Sequence, residues 1–189
     1  MFSFAQDTDK WTVEFRLSND HFLLDEVNNR LSFSQGFGVE LLESRSSFGI
    51  GIQASKKLNN KFRLGLGIHY NNLRALGQCF CDFCLKFPRI EEEIITFLKI
   101  PVFLRYEFFN HAKFSSYTSF GLNPKTHLSL GSIQVEGSFG LGMAYRLNPN
   151  YSFNLEAFII QDLYNSVKVK GNEFRYRGVS LQLGMNRYF

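Results

Sequence analysis

The sequence predicts an all-β protein: a closed, antiparallel, up-and-down β-barrel of about eight strands that crosses a membrane. Residues 97–109 alternate with period two between a wholly apolar face and a face that carries three charged residues, as a strand with one apolar and one more polar face does. Short and long connections alternate along the chain, which is typical of membrane barrels. Aromatic residues make up 16% of the 189 residues, and no run of about 18 apolar residues predicts a transmembrane helix.

The segment 97–109 is longer than the soluble-protein average of about 5–6 residues per strand. Its apolar face consists of Leu98, Ile100, Val102, Leu104, Tyr106 and Phe108. Its other face consists of Phe97, Lys99, Pro101, Phe103, Arg105 and Glu107. Because proline cannot donate a ladder hydrogen bond, we expect a bulge or kink at Pro101.

The N-terminal residues 1–30 are predicted to stand apart from the regular pattern. Residues 1–7 look like the end of a secretory signal peptide that is cleaved after Ala5. Residues 11–17 alternate and predict a short strand, either a ninth strand or the start of the first, and 18–30 predict a polar loop. We therefore divide the chain into 1–30, a signal-peptide remnant with an N-terminal extension or first strand, and 31–189, the barrel domain.

From Leu31 onward, eight alternating segments predict eight strands. They cover residues 31–41, 47–55, 62–70, 94–109, 114–122, 133–147, 151–160 and 174–189, with a polar break at 43–46. Short turns are predicted near 59–60, 110–112 and 148–150, and long loops near 71–93, 123–132 and 165–173. An even number of strands brings both ends of the barrel domain to the side of the short turns.

The residues opposite the apolar faces decide which face meets lipid. They are mostly Gly, Ser, Asn, Gln and charged residues, which suit the narrow interior of an eight-stranded barrel. In the alternative, a soluble lipocalin-like ligand-binding barrel, the apolar face would point inward. We therefore expect the apolar faces to point outward into lipid.

Charged side chains of both signs are predicted to form a network in the lumen. The members are Glu40, Arg63, Lys99, Arg105, Glu107, Glu136, Arg146 and Glu156. Balanced charges favour a lumen filled by salt bridges over a charge-selective pore. Lys99, Arg105 and Glu107 should meet opposite charges from strands 62–70, 133–147 and 151–160. A narrow porin-like channel for small solutes or ions is the alternative function.

Three cysteines lie close together within the predicted loop 71–93. Cys79, Cys81 and Cys84 are compatible with a disulfide or free thiols, with a bond between chains, or with a soft metal completed by His69 or His111. The metal interpretation lacks the second half of a zinc site, so no cofactor is expected. Residues 91–93, all Glu, are interpreted as a solvated charge run.

Several function classes are excluded by missing patterns. The chain has no G-x-S-x-G, H-E-x-x-H or G-x-x-x-x-G-K motif, so we expect no enzyme activity. The net charge is +4, without a basic stripe interleaved with aromatics, so nucleic acid is not an expected partner.

Residues 98–108, LKIPVFLRYEF, resemble a strand of the small bacterial outer-membrane β-barrels called PorT-like, or "outer membrane protein β-barrel domain". The strand-turn-strand at 49–67 and the terminal Tyr188 and Phe189 are also similar, so the resemblance covers about 31–189. Lys99 departs from the family, which often has an acid there, and Arg187 replaces a usual aromatic residue.

The resemblance implies a porin-family location in the outer membrane of a Gram-negative bacterium. Its implied partners are outer-membrane lipid, a barrel-assembly machinery that reads Tyr188 and Phe189, and envelope proteins. The implied role is structural, surface-contact or within an envelope complex.

Overall fold

Ten antiparallel strands form one sheet in the computed structural model, which describes residues 11–23, 30–34, 37–81, 90–111, 113–128, 133–165 and 177–189. The strands are β1 Trp11–Leu23, β2 Arg30–Ser34, β3 Phe37–Lys57, β4 Phe62–Cys81, β5 Ile90–Lys99, β6 Val102–His111, β7 Phe114–His127, β8 Ile133–Asn148, β9 Tyr151–Asn165 and β10 Arg177–Tyr188. The first strand pairs with both β3 and β10, so the sheet closes on itself. The predicted closed antiparallel barrel is confirmed.

These ten strands occupy eight positions around the wall. Both β5 and β6 lie between β4 and β7, so they are two parts of one wall strand. The short β2 pairs with β3 beyond the end of β1 and continues the same wall position. The described residues include no helix that is long and apolar enough to cross a bilayer.

Pro101 interrupts the wall strand where the sequence predicts a distortion. Neither Ile100 nor Pro101 belongs to a strand, but the hydrogen-bonded sheet continues across the break. The Ile100 amide donates to the Pro124 carbonyl at 2.8 Å, and the Gly67 amide donates to the Pro101 carbonyl at 2.9 Å. The chain therefore loses one donor at Pro101 without opening the wall.

Two predictions about the first third of the chain are wrong. β1 is a full wall strand that continues to Leu23, so residues 18–23 are not a loop and the barrel includes β1. The polar break at 43–46 lies inside β3, where the pairing with β4 shifts register between Leu41 and Glu43 and again between Ser44 and Ser47. Such irregularities absorb extra residues without ending a strand. The gain of β1 and the merging of two predicted segments leave the count at eight.

Three further stretches that were predicted as loops are strand. β4 continues to Cys81, β5 begins at Ile90, and β7 continues to His127. Toward the loop end of β4, the outward-apolar pattern reverses. Leu73 is fully buried in the lumen, whereas its neighbour Arg74 points outward and is exposed. A prediction that follows one continuous apolar face therefore ends the strand too early here.

The apolar faces point outward, as predicted. Ile100, Val102 and Leu104 are 49%, 46% and 36% exposed, whereas Lys99 and Arg105 of the same wall strand are buried. The soluble barrel with an inward apolar face is therefore excluded.

Candidate functional site in the barrel lumen

The lumen is the part of the molecule where polar and charged side chains are concentrated. Over most of the wall whose side chains the structure describes, buried residues that face the barrel axis alternate with more exposed ones. These residues form successive levels from the end with the short turns to the end with the long connections. We call these ends the turn end and the loop end.

A group of two arginines and two glutamates, which we call the central cluster, crosses the lumen at mid-height. Its members are Glu14, Arg16, Arg105 and Glu156. Arg16 Nη2 lies 2.5 Å from Glu14 Oε1 and 3.1 Å from Glu156 Oε1. Arg105 Nη2 lies 3.4 Å from Glu14 Oε2 and also binds Glu156. Each charge thus contacts both opposite charges, which compensates much of the free-energy cost of burying it.

Neutral side chains complete the hydrogen bonding of the central cluster. Tyr117 donates its hydroxyl proton to Glu156 Oε1 at 2.5 Å, and the Arg105 guanidinium lies 4.0 Å above the Tyr117 ring. Asn154 Nδ2 donates to Glu14 Oε1 at 2.9 Å. These contacts join β1, β6, β7 and β9 across the barrel axis, so the cluster links opposite sides of the wall.

Toward the loop end lies a second network, the loop-side cluster, in which acids and lysines alternate. Its members are Asp20, Lys99, Glu136, Lys125 and Asp162. Lys99 Nζ lies 3.3 Å from Asp20 and 3.2 Å from Glu136, and Lys125 Nζ lies 3.2 Å from Glu136 and 2.5 Å from Asp162. The chain of contacts connects five wall strands.

An apolar layer lies beyond the loop-side cluster. It consists of Phe22, Leu73, Ile95 and Phe97, and each of these side chains is at most 6% exposed. The layer also contacts charges beneath it, because Lys125 Nζ is 5.3 Å from the centre of the Phe97 ring. These apolar side chains therefore fill part of the lumen cross-section toward the loop end, among the residues that the structure describes.

At the turn end, the buried Arg63 forms an ion pair with the half-buried Glu107 near the mouth of the lumen. Arg63 Nε lies 3.2 Å from Glu107 Oε1, and Arg63 Nη1 donates to Thr12 at 2.6 Å. Tyr188 packs beside this pair, with the guanidiniums of Arg63 and Arg146 5.8 and 5.4 Å from its ring centre.

The structure places most of the predicted lumen charges together. Arg63, Lys99, Arg105, Glu136 and Glu156 are buried in the lumen, and Glu107 is half-buried there. The wall strand meets its opposite charges through three pairs, Lys99–Glu136, Arg105–Glu156 and Glu107–Arg63. These partners come from the three strands that the charge alternation predicts.

The remaining predicted site residues lie elsewhere. Arg146 is exposed at the mouth of the turn end. Tyr188 faces this mouth and shares a 2.8 Å hydrogen bond with Ser152, whereas Phe189 is 59% exposed. Glu40, Cys79 and Cys81 lie on described strands, but their side chains are outside the described residues, as is the whole of Cys84.

The two histidines considered as completing a cysteine–metal site lie far apart. His69 is buried in the lumen, 2.8 Å from the amide nitrogen of Gln53, and His111 is exposed at a turn. In the part of the chain that the structure describes, no three metal-binding side chains come together.

Five charged members of the lumen clusters were missed from the sequence. They are Glu14, Arg16, Asp20, Lys125 and Asp162. Three of them lie on β1, which was treated as a minor strand, and Lys125 was assigned to a loop. The alternation of Thr12, Glu14, Arg16, Ser18 and Asp20 is the signal that could have revealed β1 as a full wall strand with a charged inner face.

Gly142 provides a test of how tightly the central cluster is packed. A methyl group at this position would come within 2.4 Å of Tyr117 Cε2 and 2.8 Å of Glu156 Cγ. We expect Gly142→Ala to lower the free energy of unfolding in vesicles by about 1–3 kcal/mol, because it overpacks the lumen. Urea titration of the refolded protein measures the loss.

Gly137→Ala, on the same strand, is the matched control. Its added methyl group would meet the side chain of Leu163 at 3.0 Å, which can move into the surrounding lipid. We expect a loss of less than about 1 kcal/mol. Equal losses in the two variants would show that the lumen is not closely packed around Tyr117.

No protein-family model matches the chain, and no curated protein matches it. Several solved structures are similar. The outer membrane protein OprG from Pseudomonas aeruginosa is 12% identical, with a TM-score of 0.62 over 96% of each chain. Neisserial surface protein A is 16% identical, with a TM-score of 0.57 over 95% of this chain and 97% of that one.

The outer membrane protein AlkL, solved by solid-state NMR in lipid bilayers, is 12% identical with a TM-score of 0.52, over 100% of this chain and 94% of that one. These structural similarities show a shared fold. The exposed apolar side chains on the outside of the wall form the lipid-facing surface that this fold has in a membrane. The chain is thus an integral β-barrel of the outer-membrane type.

Proposed function

We propose that this protein is a non-conducting, non-enzymatic barrel of the Gram-negative outer membrane, which acts through contacts at its surface. Its role is structural, in surface contact or within an envelope complex. The observation that carries the proposal is the filled lumen, in which two ion-pair networks and an apolar layer lie one above another.

The charges in the lumen compensate one another. The described cations are Arg16, Arg63, Lys99, Arg105 and Lys125, and the carboxylates are Glu14, Asp20, Glu107, Glu136, Glu156 and Asp162. A channel that selects ions by charge would show a clear excess of one sign along its path. Here each cation contacts at least one carboxylate, and an ion entering the lumen would have to displace these pairs.

Two cavities in the described part of the lumen are small. A cavity of about 40 Å³ lies between the two clusters, beside Gln53, His69 and Asn71, and another of about 60 Å³ lies at the mouth of the turn end. These volumes hold a few water molecules each. They lie on different sides of the central cluster, which supports a plug over a narrow channel.

The PorT-like assignment and its implied partners belong to the same proposal. The segment 98–108 that carries the resemblance forms the wall strand whose inner face supplies Lys99 and Arg105. The proposed partners are outer-membrane lipid, the barrel-assembly machinery and envelope proteins. Contacts with envelope proteins would use surfaces outside the filled lumen.

Planar-bilayer recording tests the closed lumen. The purified chain, refolded and checked by heat-modifiable migration on SDS gels, should insert without producing steady single-channel steps. A quadruple variant, Glu14→Ala/Arg16→Ala/Arg105→Ala/Glu156→Ala, removes the central cluster without changing the net charge. If it folds, we expect it to conduct more than the unaltered protein.

Steady single-channel steps from the unaltered, inserted protein would contradict the proposal and favour the porin-like channel. Protease protection of the reconstituted barrel provides the control for insertion. Because the bilayer recording of the unaltered protein does not depend on the quadruple variant, it distinguishes a closed lumen from a channel even if that variant does not fold.

A further inference from the structure

The outer wall carries an aromatic and basic patch at the turn end, on the face formed by β3, β1, β10 and β9. We call it the rim patch, and it consists of Trp11, Lys56, Tyr151, Arg187 and Phe189. Trp11 pairs with Lys56 across β1 and β3, and Arg187 pairs with Val13 on one side and Tyr151 on the other. Lys56 is therefore the direct cross-strand neighbour of Trp11, and Arg187 lies diagonally from it, one pair further along β1, on the lipid side of the wall.

Both cations of the rim patch rest on aromatic rings. Lys56 Nζ lies 5.6 Å from the centre of the Trp11 ring, and Arg187 Cζ lies 4.8 Å from that of Phe189 and 6.0 Å from that of Tyr151. Such contacts hold a cation in place but leave its charge uncompensated. Within the part of the chain that the structure describes, neither Lys56 nor Arg187 makes an ion pair.

Apolar side chains extend from the rim patch toward the middle of the wall on the same four strands. Phe15, Ile52, Phe153 and Met185 are 48%, 55%, 50% and 42% exposed. Aromatic side chains at the boundary of such a surface mark the membrane–water interface of a barrel. A lipid with its acyl chains against this surface would have its headgroup at the level of Lys56 and Arg187.

The surrounding turns add positive charge to this end. Lys61, Lys113 and Arg146 are all exposed there. They raise the electrostatic potential near the rim patch, but they belong to the turns and the lumen mouth. The combination of a lipid-facing wall, interfacial aromatics and two unpaired cations therefore favours a negatively charged ligand that is itself part of the membrane.

We propose that the rim patch binds the headgroup of an anionic phospholipid in the leaflet at the turn end. Lys56 and Arg187 contact the phosphate, and Trp11 packs against the lipid between them. This site is independent of the filled lumen, so its test does not depend on whether the barrel conducts.

Trp11 is the single tryptophan of the chain, so its fluorescence reports on the proposed site. The full chain is refolded into phosphatidylcholine vesicles that contain a minor fraction of phosphatidylglycerol. In separate preparations, the phosphatidylglycerol or the phosphatidylcholine carries bromine on its acyl chains, and bromine quenches the fluorescence of a nearby indole. Since one basic residue near an anionic surface contributes about 1 kcal/mol, we expect phosphatidylglycerol to be enriched at Trp11 by at least about fivefold.

The double variant Lys56→Gln/Arg187→Gln should reduce this enrichment to about one. The matched control, Lys61→Gln/Lys113→Gln, removes the same charge from the same end and should keep the enrichment. Heat-modifiable migration confirms that both variants are folded.

Four results would overturn the proposal. The first is equal quenching by the two lipids in the unaltered protein. The second is a loss of phosphatidylglycerol enrichment in the control variant as large as in the double variant. The third is loss of the enrichment on addition of inorganic phosphate, which would indicate a site for a soluble anion. The fourth is quenching by neither lipid, which would indicate that a second copy of the chain covers Trp11.

Discussion

Replacing Glu156 by Gln is expected to lower the free energy of unfolding of the barrel by about 3–5 kcal/mol, the range for breaking a buried ion pair. Glu156 is 1% exposed and contacts Arg16, Arg105 and the Tyr117 hydroxyl. The variant keeps the shape of the side chain but leaves two buried guanidiniums sharing the single carboxylate of Glu14. The loss can be measured by urea titration of the protein in vesicles, followed by circular dichroism.

Glu107→Gln makes the same chemical change at the edge of the lumen and serves as the control. The Glu107 side chain is 18% exposed, and its ion-pair partner Arg63 also binds Thr12. We expect a loss of no more than about 1 kcal/mol, as for an exposed pair. Similar losses in the two variants would mean that the central cluster is hydrated rather than buried.

The pairing of Glu156 with Arg105 can be isolated by a double-mutant cycle. The double variant Glu156→Gln/Arg105→Gln removes one negative and one positive charge together and leaves neither partner of this pair unpaired. We therefore expect its loss of unfolding free energy to be smaller than the sum of the losses in the two single variants. A coupling free energy of about 0.5–3 kcal/mol is typical of residues in contact. Additive losses would show that Arg105 and Glu156 do not stabilise one another.

A second large effect is expected on the lipid side of the wall. Leu141 is 58% exposed near the middle of β8, so Leu141→Arg places a charge in the centre of the hydrocarbon layer. Arginine at the midplane of a barrel wall costs about 2–4 kcal/mol. Urea titration in vesicles is again the measurement, and the shift should be toward lower urea concentration.

Leu147→Arg, on the same strand and near the turn end, is the matched control. Leu147 is 46% exposed, but it lies one residue from the end of β8, where an arginine side chain reaches water. We expect a loss of about 0–1 kcal/mol. If neither variant destabilised the protein, the outward surface would not be embedded in lipid.

The alternation of residues 97–109 predicted more than a strand, because its period assigns a side to each residue. It placed Lys99, Arg105 and Glu107 in the lumen and predicted a distortion at Pro101. The strands that supply their partners could also be predicted, since the inner face of each neighbouring strand is known once its period is known. The individual partners required the register between strands.

The same rule failed where the lumen itself is apolar. The burial of Leu73 and the exposure of Arg74 reverse the pattern near the loop end, so strand appeared as loop. β1 was undervalued for a related reason. Its outer face includes Asn19 and His21, so its apolar pattern ends at Leu17 although the strand continues to Leu23. In both places, the strand continues because the closed sheet pairs its backbone N–H and C=O groups, and the periodicity of side chains does not reveal this pairing.

The predicted count of eight wall positions matches the structure only because the undervalued β1 offset the division of β3 into two segments. The sequence by itself determined the fold class, the outward direction of the apolar faces and the presence of both charge signs in the lumen. These properties depend on period and composition, which are local. Only the tertiary structure decided that β1 brings Glu14, Arg16 and Asp20 into the two clusters. It also decided that Lys56 and Arg187 come from the strands on either side of β1, near Trp11. Those contacts arise from closure of the barrel, which pairs the first strand with the last and joins residues far apart in the chain.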